Sequence, residues 1–383
     1  MSRELPPVLV ASPSPAWTAL LRAELARLGL PPEALGGAQQ AAPLHDHTQH
    51  AALGTHQPPA AQHSALSPQR SLRWGGRTLA LGARTLIMGV INVTDASLSG
   101  DGLGRDVDAV LARAEALVAA GADILDVGGE STRPGAGAVP AAEERARVEP
   151  AIAAIARRLD VPISVDTRKA AVAEAALAAG AGAVNDVSGL RHDRAVAVVT
   201  ARAGAALILG HWAPRGGARP PRLPNPGASG LAVRPHPNPL PGGEGEGPLS
   251  PWERAGGEGS AVAEALRGLQ ESVGWALAAG CAPEQLAIDP GLGFGKAPRV
   301  SLALLRQLGA LRALGWPLVV GPSRKGFIGH VLGPAEQHGW EGTAAAVALA
   351  IAGGADIVRV HDVARLARVV RMADAIARVL SDE

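Results

Sequence analysis

One phrase recurs down this chain and constrains its fold more than any other feature: an Ala-rich helical stretch, a glycine, then a short apolar run closed by a polar residue. It reads AAGADILDVGGE, AAGAGAVNDVSG, ARAGAALILGH, AAGCAPEQLAIDPG, RALGWPLVVGPSRK and AGGADIVRVHD. A glycine at that point supplies the left-handed residue that ends a helix. A short continuous run of β-branched and aliphatic residues is a strand buried on both faces, the mark of a parallel sheet. Such runs fall at 84–92, 123–128, 161–166, 182–186, 205–210, 286–289, 317–321 and 356–360. Eight strand–helix units in roughly 300 residues is the size of a (β/α)8 TIM barrel, an α/β fold, with a doubly wound sheet as the alternative. The segment Leu72 to Leu81, turning about Gly75 and Gly76, predicts a hairpin that plugs the bottom of that barrel.

The flanking text lacks this rhythm. Residues 1–70 are set apart as an N-terminal extension. One amphipathic helix is expected within 1–35, where Trp17, Leu20, Leu21, Glu24 and Leu28 fall at helical spacing before Gly29. Residues 36–70, rich in Gln, Ala, Pro and His, are expected to be a disordered linker. Its histidines, His45, His47, His50, His56 and His63, lack the regular spacing of a metal site. The barrel domain is expected over 71–383, interrupted after its fifth strand by a Pro/Gly/Glu-rich, disordered insertion at 213–260 that includes Trp252.

Composition narrows the function classes. A formal net charge of +1 over 383 residues does not fit a basic nucleic-acid binder. The single cysteine, Cys281, rules out an internal disulfide framework and a thiolate metal cage. Arg22, Glu24 and Arg27 interrupt the apolar text of the first thirty residues, so no signal peptide or membrane span is expected and a cytoplasmic location is.

A barrel of this kind builds its site at the C-terminal ends of its strands. There the sequence places Asn92, Glu130 with Thr132 and Arg133, Asp166, Asn185, His211, Asp289, Ser323 with Lys325, and Arg359 with His361, while the opposite ends look almost free of polar residues. Polar residues after strands often serve only as turn formers or helix caps, and Asp166 or Ser323 alone is explained as well that way. The set as a whole has a chemical logic. The carboxylates of Asp166 and Asp289 with the amide of Asn185 suit the donor-rich edge of an aminopyrimidinone ring such as a pterin. Arg359 and His361 follow the eighth strand, where barrels commonly bind phosphate. Asn92 offers a neutral oxygen for Mg²⁺, which takes few protein ligands when substrate phosphates supply the rest. The set reads as a site for a flat heterocycle carrying a pyrophosphate.

The segments LIMGVINVTDASLSGDG, GADILDVGGESTRPGA, PISVDTRK, AGAVNDVSG, IDPGLGFGK, GPSRKGFIG and ADIVRVHD resemble, in order and spacing, those of the dihydropteroate synthase family, over about residues 72–380 excluding the insertion. The resemblance implies a cytoplasmic, TIM-barrel transferase of folate biosynthesis that joins 6-hydroxymethyl-7,8-dihydropterin pyrophosphate to 4-aminobenzoate, giving 7,8-dihydropteroate and pyrophosphate. It implies Mg²⁺ at Asn92 and a pterin held by Asp166, Asn185, Asp289 and Lys325. Arg359 and His361 would take the pyrophosphate, Ser323 the aminobenzoate side, and Thr132 and Arg133 a second mobile loop. Lys325, Arg359 and Asp289 are the residues expected to carry catalysis. The first loop departs from the family's usual Asn-Val-Thr-Pro-Asp-Ser-Phe-Ser. Its carboxylate moves to Asp95 or Asp101, Leu98 replaces the phenylalanine, and Gly210 precedes His211 where the family has methionine. A noncatalytic pterin-binding paralogue is therefore an alternative. A methyltetrahydrofolate-type methyltransferase barrel is another, although it has no evident need for the SRK and RVH segments. A homodimer is expected, with Val347, Leu349 and Ile351 near the C-terminus as candidate contacts.

Overall fold

The eight apolar runs are strands in the computed structural model, which describes residues 70–94, 103–104, 106–131, 137–213 and 258–378. They are β3 (Leu86–Asn92), β4 (Ile124–Gly128), β5 (Ile163–Asp166), β6 (Ala183–Asp186), β7 (Ala206–Gly210), β8 (Leu286–Asp289), β9 (Val319–Val320) and β10 (Ile357–Val360). All pair in parallel, in the order β8-β7-β6-β5-β4-β3-β10-β9. The ring closes where Ile288 of β8 bridges Leu318 beside β9. Chain order therefore runs unbroken around a barrel, and the doubly wound alternative, which needs a reversal of strand order, is excluded. β9 keeps only two of the five residues expected of it. Pro317 and Pro322 flank it, and a proline has no N–H with which to extend a ladder.

Helices cover the outside: α1 (Val107–Ala119), α2 (Ala141–Arg158), α3 (Ala170–Ala178), α4 (Ala195–Arg202), α5 (Glu258–Ala278), α6 (Pro298–Arg306), α7 (Leu308–Arg312), α8 (Gly326–Leu332), α9 (Trp340–Ala352) and α10 (Val363–Ala377). The Asp106 carboxylate caps α1, accepting from the N–H groups of Asp108 and Ala109 at 3.1 and 3.0 Å. Gly121 leaves that helix at a φ of 103°, and Gly180, Gly204, Gly280, Gly315 and Gly354 are also left-handed, as the recurring phrase requires. α5 starts at Glu258, inside the stretch assigned to the insertion, and Ala213 on the other side is buried. The N-terminal extension, its histidines and Trp252 lie outside the described residues, as do Asp95, Leu98, Asp101, Thr132 and Arg133.

The hairpin plugs the barrel floor as expected. β1 (Arg70–Trp74) and β2 (Arg77–Leu81) pair antiparallel, and Leu72, Trp74 and Leu81 pack with Met88, Ile124, Ile208, Val319 and Ile357 of the barrel strands. Alanines at 183, 206 and 287 in the same cluster leave space for the Trp74 indole. Its Nε1 donates to the Ile163 carbonyl at 3.1 Å. Gly182 is needed there, because a Cβ at that position would lie 2.5 Å from Trp74 Cδ1.

Two sequence readings need correction. The N-terminal strand ends are not free of polar groups. Asp123 accepts from the Ile87 N–H at 2.9 Å and from both Arg84 Nη atoms. Asp356 accepts from the Leu318 N–H at 2.9 Å and from Arg70 at 2.6 Å. These carboxylates satisfy backbone donors where strands begin, which buried backbone requires. Of the three residues offered as dimer contacts, Val347 and Ile351 are core and only Leu349 is exposed. Positions four apart share a helix face, so Leu349 between them points elsewhere.

Candidate active site

Ring closure puts a carboxylate absent from the sequence-based set at the centre of the site. Asp126, the middle residue of β4, is fully buried. Its Oδ2 accepts from Arg359 Nε at 2.6 Å and Asn185 Nδ2 at 3.2 Å, and its Oδ1 accepts from the Ser164 hydroxyl at 2.6 Å. Arg359 also donates from Nη2 to Asp166 Oδ2 at 2.7 Å. The guanidinium of β10 thus reaches into the barrel between the acids of β4 and β5. A charged residue inside the apolar run ILDV was the one available sequence signal for Asp126.

Register places the rest of the mouth. Asn92 pairs with Gly128, Gly128 with Asp166, and Asp166 with Asn185, so one row at the C-terminal ends of β3 to β6 carries an amide, a carboxylate and an amide. Asp289 ends β8 beside Gly210 of β7, and its Oδ1 accepts from the Gly291 N–H at 2.6 Å. Burial pushes the Asp289 carboxyl up, against its hydrogen bond from Gly291 and the pull of Lys325, Arg359 and Lys296. Burial likewise pushes Asp166 well above the usual carboxylate range, opposed chiefly by Arg359 and assisted by Asp126. Burial lowers Arg359 less than its acid partners raise it, so it stays a cation. Neither Asp166 nor Ser323 is a helix cap: α3 starts from Lys169 and α8 from Lys325, both without a side-chain capping bond.

Lys325 lies over the Phe294 ring with its Nζ 3.6 Å from the centroid, and Trp212 stacks on the same phenylalanine at 5.8 Å between centroids. The Ser323 hydroxyl sits 3.0 Å from His361 Nδ1 and accepts the His361 backbone N–H at 3.3 Å. The hydroxyl keeps both a hydrogen and a second lone pair for Nδ1, so the direction of that bond follows the His361 tautomer. Arg113 of α1 holds the His361 carbonyl at 2.7 Å.

Two residues of the sequence-based set do other work. The His211 ring packs on Gly268 of α5, and burial with nearby Lys296 keeps its pKa well below the usual imidazole range. Glu130 stays apart from the Arg359 cluster, bound to Arg168 at 3.0 Å and Lys169 at 2.7 Å. Lys296 was missed. Its buried Nζ donates to the carbonyls of Gly291 at 2.8 Å, Phe294 at 3.3 Å and His211, tying the loop after β8 to the end of β7. Burial pushes this lysine down to about 7.

The donor set also bears on a metal. Asn92 is only partly buried at the mouth, and among the described residues no group of three or more His, Cys, Asp or Glu is placed to hold an ion. The amide oxygen of Asn92 is a neutral oxygen donor of the type Mg²⁺ accepts.

A ring of buried acceptors with a fixed cation, at the C-terminal mouth of a TIM barrel, defines an enzyme barrel that takes a donor-rich heterocycle. The model of the family described as "Pterin binding enzyme" matches residues 88–361. Dihydropteroate synthase of Synechocystis sp. is 39% identical over 76% of this chain and 89% of its own length. That of Bacillus subtilis is 38% identical over 75% and 87%. Among solved structures, Xanthomonas albilineans dihydropteroate synthase with 4-aminobenzoic acid has a TM-score of 0.65 at 36% identity, covering 81% of this chain and 98% of that one. The Burkholderia cenocepacia enzyme complexed with 7,8-dihydropteroate has a TM-score of 0.63 at 35% identity, covering 81% and 97%. This chain belongs to the dihydropteroate synthase family.

Proposed function

We propose that this chain catalyses its family's reaction, the condensation of 6-hydroxymethyl-7,8-dihydropterin pyrophosphate with 4-aminobenzoate to 7,8-dihydropteroate and pyrophosphate. The observation that carries the reading is Arg359, held between Asp126 and Asp166 beside Asn185 at the barrel mouth. Asp166, Asn185 and Asp289 accept and donate along the pterin edge, and Lys325 borders the ring. Arg359 and His361 take the pyrophosphate, with Arg359 turning part of its fork from the acids to the anion. Ser323 faces the aminobenzoate.

The C–O bond between the pterin methylene and the pyrophosphate breaks, and its electron pair leaves with the pyrophosphate. The methylene cation is delocalised into a ring whose N–H groups point at buried carboxylates, which favour positive charge there. The aminobenzoate nitrogen forms the new C–N bond and loses a proton to solvent. Asn92 would hold Mg²⁺, which would supply neutralisation of the departing charge. The chain is a transferase of folate biosynthesis. A cytoplasmic location fits its single, buried cysteine. A homodimer fits the exposed Leu349 of α9 with Met372 and Ile376 of α10.

The test measures pyrophosphate release with both substrates present, and the affinity for each alone. Release that requires both substrates supports the reading. Pterin binding without release would instead make the chain a noncatalytic paralogue.

A further inference from the structure

We propose that Lys169 is a positioning residue, which fixes both feet of the loop between β4 and α2 to the strand end that carries Asp166. The inference rests on the functional reading above. Lys169 stands three positions after Asp166, on the connection from β5 to α3. Its Nζ donates to Glu130 Oε2 at 2.7 Å and to the Val139 carbonyl at 2.7 Å, and it pairs with the buried Glu144 of α2. Glu130 begins the loop and Val139 ends it. The second Glu130 oxygen accepts from Arg168 at 3.0 Å and from the Val139 N–H at 3.3 Å. One ammonium therefore clasps the two ends of a loop at the barrel's catalytic face. All three side chains are nearly buried, with exposures of 13% for Lys169, 9% for Glu130 and none for Glu144.

An ammonium with three acceptors in fixed directions restrains position as well as charge. If Lys169 served only to offset the buried charge of Glu144, neutralising that charge would make it dispensable. If it positions the loop, the loop's contribution to the second substrate is lost even after the charge is balanced.

Three proteins separate the cases: Lys169→Met, Lys169→Arg, and the double variant Lys169→Met with Glu144→Gln, which folds without a stranded carboxylate. For Lys169→Met we expect kcat to fall and KM for 4-aminobenzoate to rise, by about tenfold in kcat/KM, a loss worth about 1.4 kcal/mol. Affinity for 6-hydroxymethylpterin stays within about twofold, since Asp166, Asn185 and Asp289 are untouched. Lys169→Arg recovers part of the loss. The double variant keeps the melting temperature of the unmodified chain and retains the kinetic defect. Recovery of kcat in the double variant, or equal losses in pterin affinity and turnover, would overturn the inference. Absence of turnover by the unmodified chain would overturn the functional reading and this inference together, whereas turnover without the split overturns this inference alone.

Discussion

Replacing Arg359 with alanine strands two carboxylates, and the cost can be worked from the geometry. Asp126 is fully buried and Asp166 nearly so, with guanidinium nitrogens at 2.6 and 2.7 Å. At an effective dielectric constant of about 20, each such pair is worth roughly 4 kcal/mol of attraction before desolvation. Breaking a buried pair by removing one partner typically costs about 3–5 kcal/mol. Two pairs share this arginine, yet the losses do not add. The Asp166 carboxyl, already raised by burial, escapes its penalty by taking up a proton. The expected destabilisation is therefore about 3–5 kcal/mol at pH 8. The sign of its pH dependence follows from linkage. Losing Arg359 removes the group that holds the Asp166 carboxyl down and so raises its folded-state pKa further above the unfolded value. A raised carboxyl favours folding at low pH and loses that contribution as pH rises through the folded pKa, so the deficit of the variant grows with pH. Urea denaturation at about pH 5 and pH 8 measures it. A deficit under about 1 kcal/mol at pH 8, or one equal at both values, would refute the argument that Arg359 is held by these acids.

Because burial raises both Asp166 and Asp289, and only the ionised carboxylate accepts two N–H bonds, affinity for 6-hydroxymethylpterin should increase as pH rises above the ordinary carboxylate range. The increase reaches at most about tenfold per pH unit for each proton released, and calorimetry showing a flat profile from about pH 5 to 8 would contradict it. Asp289→Asn should weaken pterin binding by about 2–4 kcal/mol. The amide oxygen can keep the Gly291 bond, but its NH₂ then opposes the N–H groups of the ring, and unchanged affinity would remove Asp289 from the pocket. Gly182→Ala should cost about 1–3 kcal/mol by driving a methyl group into Trp74, with a blunted near-ultraviolet circular dichroism signal as the mark of a displaced indole.

The barrel was legible because its signals are local. A helix-ending glycine, an apolar run too short for a helix and a polar residue after it are all set by the conformational needs of a few neighbouring residues. Asp166, Asn185, Asp289, Lys325 and Arg359 could be picked out for the same reason, since strand ends can be found without knowing what lies across the barrel. The hairpin plug was equally plain, as Leu72, Trp74 and Leu81 alternate about a Gly-Gly turn.

The tertiary structure decided what each charge is for. Asp126 reads as an oddity within ILDV until closure of the ring brings Arg359 to it across 233 positions of sequence. Lys169, three positions past the end of β5, reads as an ordinary connecting residue until α2 delivers Glu144 and the returning chain delivers Val139. Asp123 and Asp356 open the runs 123–128 and 356–360 at the end of the barrel that looked quiet, where they in fact satisfy N–H groups at the starts of neighbouring strands. Propensity and patterning act over a turn or two of chain, so they determine which residues form strands and helices. The free energy of a buried charge depends on which opposite charge or donor reaches it, and only the closed barrel sets that distance.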